Sequence, residues 1–383
     1  MFRPKLVSQT PITAKFLSRI NRFVLKCHRD GIGEIEAYMA NPGRLGELLL
    51  PGVQLLLETV SDDTARKLQY TASAVYTGKS FIGLNTHHTN TIARYLLKKK
   101  LIPTLEQANI EGQEISVGRN RFDFLMEENS QKFLLEVKSV TLSGNRIAMF
   151  PDAVTKRGTR HLKELVKSKE SKSKPVILFI SQGSGNDQFM PDYHTDLVFS
   201  QTLMSLREYL RVIPIEIKWN PNLELSDCVK LLEIPWDFLK TRLEDTGAYI
   251  LIMNVSKAHN ISIGSIGTVV VDPGYYLYAG SGMNGLSARI SRHLRKRKRM
   301  HWHVDFLREI SSKVKAYPVR SPHNIEDNIV LALAEVFPGV IPGFGASDSS
   351  QVTHLFYSPS DPFLSEPFQL LLRKFRFSRP HLH

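Results

Sequence analysis

The chain has 383 residues, 42% of them hydrophobic and 23% charged, which describes an ordinary globular protein of two or three domains at roughly 150 residues each. Fifty Lys and Arg against 37 Asp and Glu give a net charge of +13; this favours a polyanionic partner, because basic side chains release counterions when they neutralise phosphates, although a ribosomal or anionic-membrane contact draws on the same charge. Two cysteines, Cys27 and Cys228, exclude a disulfide framework or a cysteine zinc set, and no run approaches the ~18 apolar residues of a membrane helix.

Met1-Phe2-Arg3-Pro4-Lys5 leads into a polar stretch without an apolar core, so no secretory leader is expected and a cytoplasmic location is. The runs 23–27 and 34–39 flank the turn residues Asp30-Gly31-Ile32-Gly33, and 53–60 and 72–76 are further strand candidates. Short strands at this spacing predict a small barrel. Arg19, Arg22 and Phe23 supply a basic and aromatic mixture on its first strand, suited to stacking and phosphate contact. Asn41-Pro42-Gly43-Arg44 is a turn that holds Arg44 toward a phosphate. Phe23 fits a core position equally well.

From about residue 85 the pattern becomes α/β. The period of 89–100 predicts a helix, 121–126 and 132–137 a hairpin, and 153–170 a basic helix. The apolar run 176–180, a helix near 200–211 and the run 212–217 complete the unit. Residues 233–246 read as a linker.

Arg121-Phe122-Asp123-Phe124 and Leu134-Leu135-Glu136-Val137-Lys138 carry the chemistry. Residues two apart on a strand share a face, so Glu136 and Lys138 project together, and Asp123 on the partner strand reaches the same spot. Two convergent carboxylates make a hard oxygen site suited to Mg²⁺ or Mn²⁺. A lysine beside it orients the attacking water while the cation offsets charge growing on a phosphate. A surface hairpin with an ordinary Glu–Lys pair produces the same spacing, but the strand around Glu136 is strongly apolar, and buried charges need a reason to be there. Downstream, Lys156 and Arg160 lie one helical turn apart, on one face, positioned for a phosphate chain or for solvent.

Asn41-Pro42-Gly43-Arg44, Gly83-Leu84-Asn85-Thr86, Arg121-x-Asp123-Phe124, the run Glu136 to Leu142 and the run Phe150 to His161 together resemble the SfsA family, the sugar fermentation stimulation proteins. The resemblance spans roughly residues 1–235. It implies an OB-like barrel joined to a PD-(D/E)xK nuclease-like domain acting on DNA or RNA, with Asp123 and Glu136 as metal ligands and Lys138 as catalytic lysine. Family members usually carry acidic residues where this chain has Arg94 and Tyr95, which implies a site weaker than, or assembled differently from, those of its relatives.

In the C-terminal part, Gly247-Ala248-Tyr249 opens one strand and Gly274 to Gly280 forms another. A helix then places Arg289 and His293 one turn apart. Arg295-Lys296-Arg297-Lys298-Arg299 follows as a dense cationic run, either solvated or an electrostatic clamp. Gly274 to Ser281, Gly343 to Asp348 and His354-Leu355-Phe356-Tyr357 resemble an uncharacterised branch of the GIY-YIG superfamily over roughly 246–375. That resemblance implies Tyr249 and Tyr278 flanking an attacking water, Arg289 on the phosphate and Glu326 as a metal ligand. Tyrosines in apolar strands are also common core scaffold.

The expected architecture is an α/β multidomain chain: an OB-like nucleic-acid-binding barrel at 1–82, a PD-(D/E)xK nuclease-like domain at 83–240 and a GIY-YIG-like domain at 246–378. The expected activity is metal-dependent phosphodiester hydrolysis. Nucleic-acid contacts are expected from Arg22, Arg44, Lys156, Arg160, His293, Arg295 and Arg297, with DNA or RNA as partner and no membrane. A non-catalytic DNA-binding regulator, or an accessory protein for single strands or RNA processing, shares the charge and the barrel but needs no cation.

Overall fold

A computed structural model describes residues 10–59, 68–168, 172–183, 185–346 and 350–379. The chain forms two compact units, one of Met1–Asp192, Val198–Trp236 and Arg379–His383, the other of Tyr193–Leu197 and Asp237–Ser378. Among the described residues no helix is long and apolar enough to cross a membrane.

The first unit begins with β1 (Ile12–Asn21), β2 (Val24–Arg29), β3 (Gly33–Tyr38), β4 (Gln54–Thr59), β5 (Tyr70–Tyr76) and β6 (Phe81–Gly83). Their order is β3-β2-β1-β4-β5-β6, and a parallel β3–β5 pairing closes five of them into a barrel. Closure removes the free edges that an open sheet would leave. Phe16, Leu25, Cys27, Ala37, Leu55, Leu57, Ala72 and Val75 fill the interior, while Leu56 and Ala74, on the other face of β4 and β5, are buried against Leu223. Val60, the last residue of one anticipated strand, lies outside the described residues.

The barrel is followed by α1 (Thr89–Lys98), β7 (Asn109–Val117), β8 (Asn120–Glu128), β9 (Gln131–Val140), β10 (Leu142–Gly144), β11 (Ile147–Phe150), α2 (Lys156–Lys167), β12 (Val176–Ser181), β13 (Gln188–Pro191), α3 (Leu197–Leu206), β14 (Arg211–Glu216) and β15 (Lys230–Leu231). Strands β15-β14-β12-β9-β8-β7 form the central sheet, with β9, β12 and β14 parallel. One face packs on α1 through Ile92, Ala93, Leu96 and Leu97, the other on α2 and α3 through Leu162, Leu165, Phe199 and Leu203. Burial on both faces explains the continuous apolar runs of β9 and β12. The helix expected near 200–211 ends at Leu206, and a turn leads from it into β14, where Arg211 pairs with Val176. The expected linker is partly structured: Ile234 and Trp236 pack on the sheet core, and α4 (Trp236–Lys240) follows.

The second unit contains β16 (Gly247–Val255), β17 (His259–Ile263), β18 (Gly267–Val271), β19 (Gly274–Ser281), α5 (Leu286–Leu294), α6 (His303–Ile310), β20 (Lys313–Arg320), α7 (Glu326–Ala334), β21 (Leu355–Ser358) and α8 (Glu366–Arg376). An antiparallel sheet, β20-β16-β19-β21, divides two cores, one toward α7 and α8 and the other toward α5 and α6.

Candidate nuclease site

The β8–β9 hairpin pairs in register from Glu128↔Gln131 to Phe124↔Leu135 and goes no further. Beyond that point β8 stays with β7, while β9 runs on beside β12, where Ile177 faces Glu136 and Phe179 faces Lys138. The strands part at Asp123. Its Oδ2 accepts from the Val137 N–H at 2.7 Å, so a carboxylate takes the rung the ladder gives up. Across on β7, Glu114 has a left-handed φ of 55°, which an L-residue rarely adopts. Phe122 and Phe124 lie in the two opposite cores, although simple alternation would put them on one face.

Around this fork the three expected residues meet. Glu136 is 4% exposed; its Oε1 accepts from the Lys138 ammonium and lies 2.9 Å from His161 Nδ1. Burial pushes the Glu136 carboxyl up, but the hydrogen bonds from His161 and Lys138 outweigh it and the group sits below the usual range. Asp123 behaves oppositely. Burial raises it, and the negative charge of Glu136 raises it further, against the Val137 N–H, Lys138 and the Asn90 amide, which bonds Oδ1 at 2.7 Å. Two neighbouring carboxylates with opposed shifts form an electrostatically unsatisfied pair.

Among the described residues no three His, Cys, Asp or Glu side chains gather as a metal site. The pair itself fits a hard cation: Glu136 Oε2 is buried without a hydrogen-bond partner, a costly state for a carboxylate oxygen unless a ligand completes it. Its neighbour Asp123 carries the repulsion that a cation would relieve.

Asn90 and His161 escaped the sequence argument as site residues. Asn90 is one turn before Arg94 on α1, and it is Asn90 that touches Asp123. Arg94 is exposed, and the Tyr95 hydroxyl donates to Asp227 at 2.8 Å. His161 was visible as the last residue of the Phe150-to-His161 run, and its spacing from Arg157 on a helix was the available signal. Lys156 and Arg160 are exposed on α2 as expected.

On the barrel, Arg22 and Phe23 follow β1 rather than lying on it. Arg19 is no free cation: its guanidinium donates to the carbonyls of Gly43, Arg44, Arg22 and Asn41, tying two turns together. Arg22 and Arg44 are left exposed. Phe23 is 43% exposed, not core, and stacks on Tyr38 at 6.5 Å and 23°. Tyr38 in turn neighbours His87 at 6.3 Å. The turn at Asn41 also meets the central domain, since a Cβ on Gly43 would lie 1.9 Å from Asp152 Oδ2.

In the second unit, Tyr278, Arg289 and Glu326 all lie close enough to Tyr249 to perturb it electrostatically. Tyr249 is 1% exposed, its ring 6.3 Å from that of Tyr278, and burial raises its hydroxyl well above the usual range. Glu326 is raised by burial but brought below its usual range by hydrogen bonds from His354, at 3.2 Å, and Ser281. Arg289 is exposed and stacks over Trp302 at 5.0 Å.

The structure departs from two expectations. His293 does not share Arg289's exposed position: it is 2% exposed, lies against Tyr249 and Trp302, and is lowered to about 4 by burial and by Lys298, so it is no nucleic-acid contact. Nor is the cationic run uniformly outward. Lys298 turns in to pair with the buried Asp305 at 2.8 Å, because a carboxylate without water needs cationic partners. Arg295 and Arg297 stay exposed. Ser347, Asp348 and Ser349 lie outside the described residues.

Comparison with known proteins adds family to geometry. Residues 17–84 match the SfsA N-terminal OB domain, 87–223 the sugar fermentation stimulation protein RE domain, and 248–376 the domain of unknown function DUF123. A sugar fermentation stimulation protein homolog of Methanosphaera stadtmanae is 36% identical over 192 residues, covering 49% of this chain and 79% of its own. One from Clostridium novyi is 37% identical over 193 residues, covering 50% and 83%. The solved structure of Pyrococcus furiosus SfsA in complex with Ca²⁺ superposes with a TM-score of 0.53 at 26% identity, covering 60% of this chain and 96% of that one.

Proposed function

The chain belongs to the sugar fermentation stimulation protein family, and from that premise we propose that it is a metal-dependent nuclease hydrolysing phosphodiester bonds in DNA or RNA. The observation that carries this reading is the buried, unpartnered Oε2 of Glu136 beside an Asp123 raised by its neighbour's charge, with Lys138 alongside. The Ca²⁺ of the Pyrococcus relative supports the same reading for a hard cation.

Asp123 and Glu136 would hold the cation. Mg²⁺ or Mn²⁺ bound there supplies Lewis-acid stabilisation of phosphate charge and an acidified water. The protein's own groups do the rest. Glu136 stays ionised, because His161 and Lys138 both stabilise its charge. The Val137 N–H and the Asn90 amide fix the Asp123 carboxylate in place, so no reorganisation is needed as charge develops. Lys138, 19% exposed at its side chain, keeps its ammonium at the border between Glu136 and solvent, where it orients water and meets a non-bridging phosphate oxygen. Lys156 and Arg160 hold flanking phosphates. On the barrel, Phe23, Tyr38 and His87 form a row of rings on which bases stack, bordered by Arg22 and Arg44. In the second unit Arg295 and Arg297 add charge for a nucleic-acid backbone.

A second cutting centre of GIY-YIG type in the second unit is favoured by one observation: Glu326, oriented by His354 and Ser281, is close enough to Tyr249 to perturb it, as are Tyr278 and the exposed Arg289. The deciding experiment is metal-dependent cleavage of labelled single- and double-stranded DNA and RNA. Asp123→Ala, Glu136→Ala and Lys138→Ala abolish the main activity while binding persists. Cleavage that survives Glu136→Ala but not Glu326→Ala moves the chemistry to the second unit, and binding without cleavage in the wild type makes the protein a non-catalytic regulator.

A further inference from the structure

We infer that His161 is a positioning residue that determines which oxygen of Glu136 is offered to a cation, and that Arg157 sets the imidazole for this task; the inference rests on the nuclease reading above.

The geometry forms a chain of donors. Arginine has no acceptor and stays protonated, so where Arg157 Nε lies 3.4 Å from His161 Nε2, that ring nitrogen is the acceptor. A neutral imidazole accepting at Nε2 carries its proton on Nδ1. Nδ1 is 2.9 Å from Glu136 Oε1 and therefore donates to it. Lys138 donates to the same Oε1. Two donors thus converge on one carboxylate oxygen, and the other, Oε2, is left buried and unclaimed. Without His161 the carboxylate is free to rotate about its last bond and share Lys138 between its oxygens.

The local fold holds this chain in place. Thr155 caps α2, its Oγ1 accepting from the Gly158 N–H at 3.0 Å, which sets the helix phase. Arg157 and His161, four residues apart, then fall on one face. The imidazole, 6% exposed, meets the Phe122 ring edge-on at 6.2 Å, and Phe122 adjoins Asp123 in sequence. Helix cap, ring contact and guanidinium together hold the imidazole in this orientation. Partners that orient a ligating carboxylate this way typically cost ~10- to 100-fold in metal affinity when removed.

The test is Mn²⁺ binding to the full chain without nucleic acid, by electron paramagnetic resonance or calorimetry, with melting temperature measured in parallel. His161→Leu weakens Mn²⁺ by ~10- to 100-fold. His161→Asn, whose amide nitrogen falls near the former Nδ1, recovers affinity to within a few fold of wild type. Arg157→Gln gives a smaller loss than His161→Leu. Wild-type affinity in His161→Leu overturns the inference, as does His161→Asn binding as weakly as His161→Leu while melting like wild type. A wild-type chain that binds no Mn²⁺ overturns the nuclease reading itself, which is a different result.

Discussion

Replacing Asp152 by Asn makes the first unit more stable at neutral pH and leaves it unchanged in acid. Asp152 lies just before α2, under the barrel turn at Gly43. Burial and the neighbouring Asp192 raise its carboxyl from 3.8 to about 6, against the opposing pull of Arg44, Arg19 and the Leu45 N–H, and its Oδ2 has no hydrogen-bond partner. A folded-state value above the unfolded one means that the native protein binds this proton more tightly. Stability is therefore fully present below about pH 4 and is lost as pH rises toward about 6. At ~1.4 kcal/mol per pH unit the gap amounts to ~3 kcal/mol above pH 6. The Asn amide must still find an acceptor, so the expected gain at pH 7.5 is ~1–3 kcal/mol. Urea unfolding of wild type and variant, followed by circular dichroism from pH 4 to 8 at fixed salt, shows midpoints that coincide at the acid end and separate between pH 4 and 6. A difference independent of pH, or a wild type more stable at pH 7.5, refutes the reasoning.

Gly43→Ala puts a methyl 1.9 Å from Asp152 Oδ2 and costs ~1–3 kcal/mol by overpacking, read as a lower melting temperature. Phe124→Ala, at a site 1% exposed, costs ~3–5 kcal/mol in the same assay. Phe23→Ala weakens binding of a single-stranded oligonucleotide by ~1–3 kcal/mol and leaves hydrolysis of a mononucleotide ester untouched. The double variant Arg295→Ala, Arg297→Ala lowers the slope of log affinity against log salt by ~1.4–1.8, whereas His293→Gln leaves that slope unchanged.

What was legible in the sequence was whatever follows from local pattern. The closed barrel is written in short strands between turns, and the central sheet in apolar runs too long to be half-exposed. Glu136 and Lys138 follow from period two. Helix ends were less legible: α3 stops at Leu206 and a turn precedes Arg211, which pairs with Val176 from a strand distant in sequence. Partnership across the fold was illegible. Arg19 looks like a phosphate ligand until four carbonyls surround it, and His293 looks like a groove contact until Trp302 and Tyr249 enclose it. Lys298 sits in a row of solvated cations yet pairs inward with Asp305, because charge partners are chosen by topology and not by neighbours in the chain. The Arg94 and Tyr95 departure drew attention to the helix, but the α1 residue that bonds Asp123 is Asn90, one turn earlier.

The fork between β8 and β9 gives Asp123 a job in the sheet, as a rung through the Val137 N–H, besides the one proposed for it as an acid of the site. The side chains of Glu136 and Lys138 bond each other, Glu136 also bonds His161, and neither takes such a rung. Were the proposed cutting activity lost in a lineage, selection for a foldable hairpin would still hold Asp123 while its two partners drifted. An aspartate surviving alone at this fork would then mark a retired enzyme.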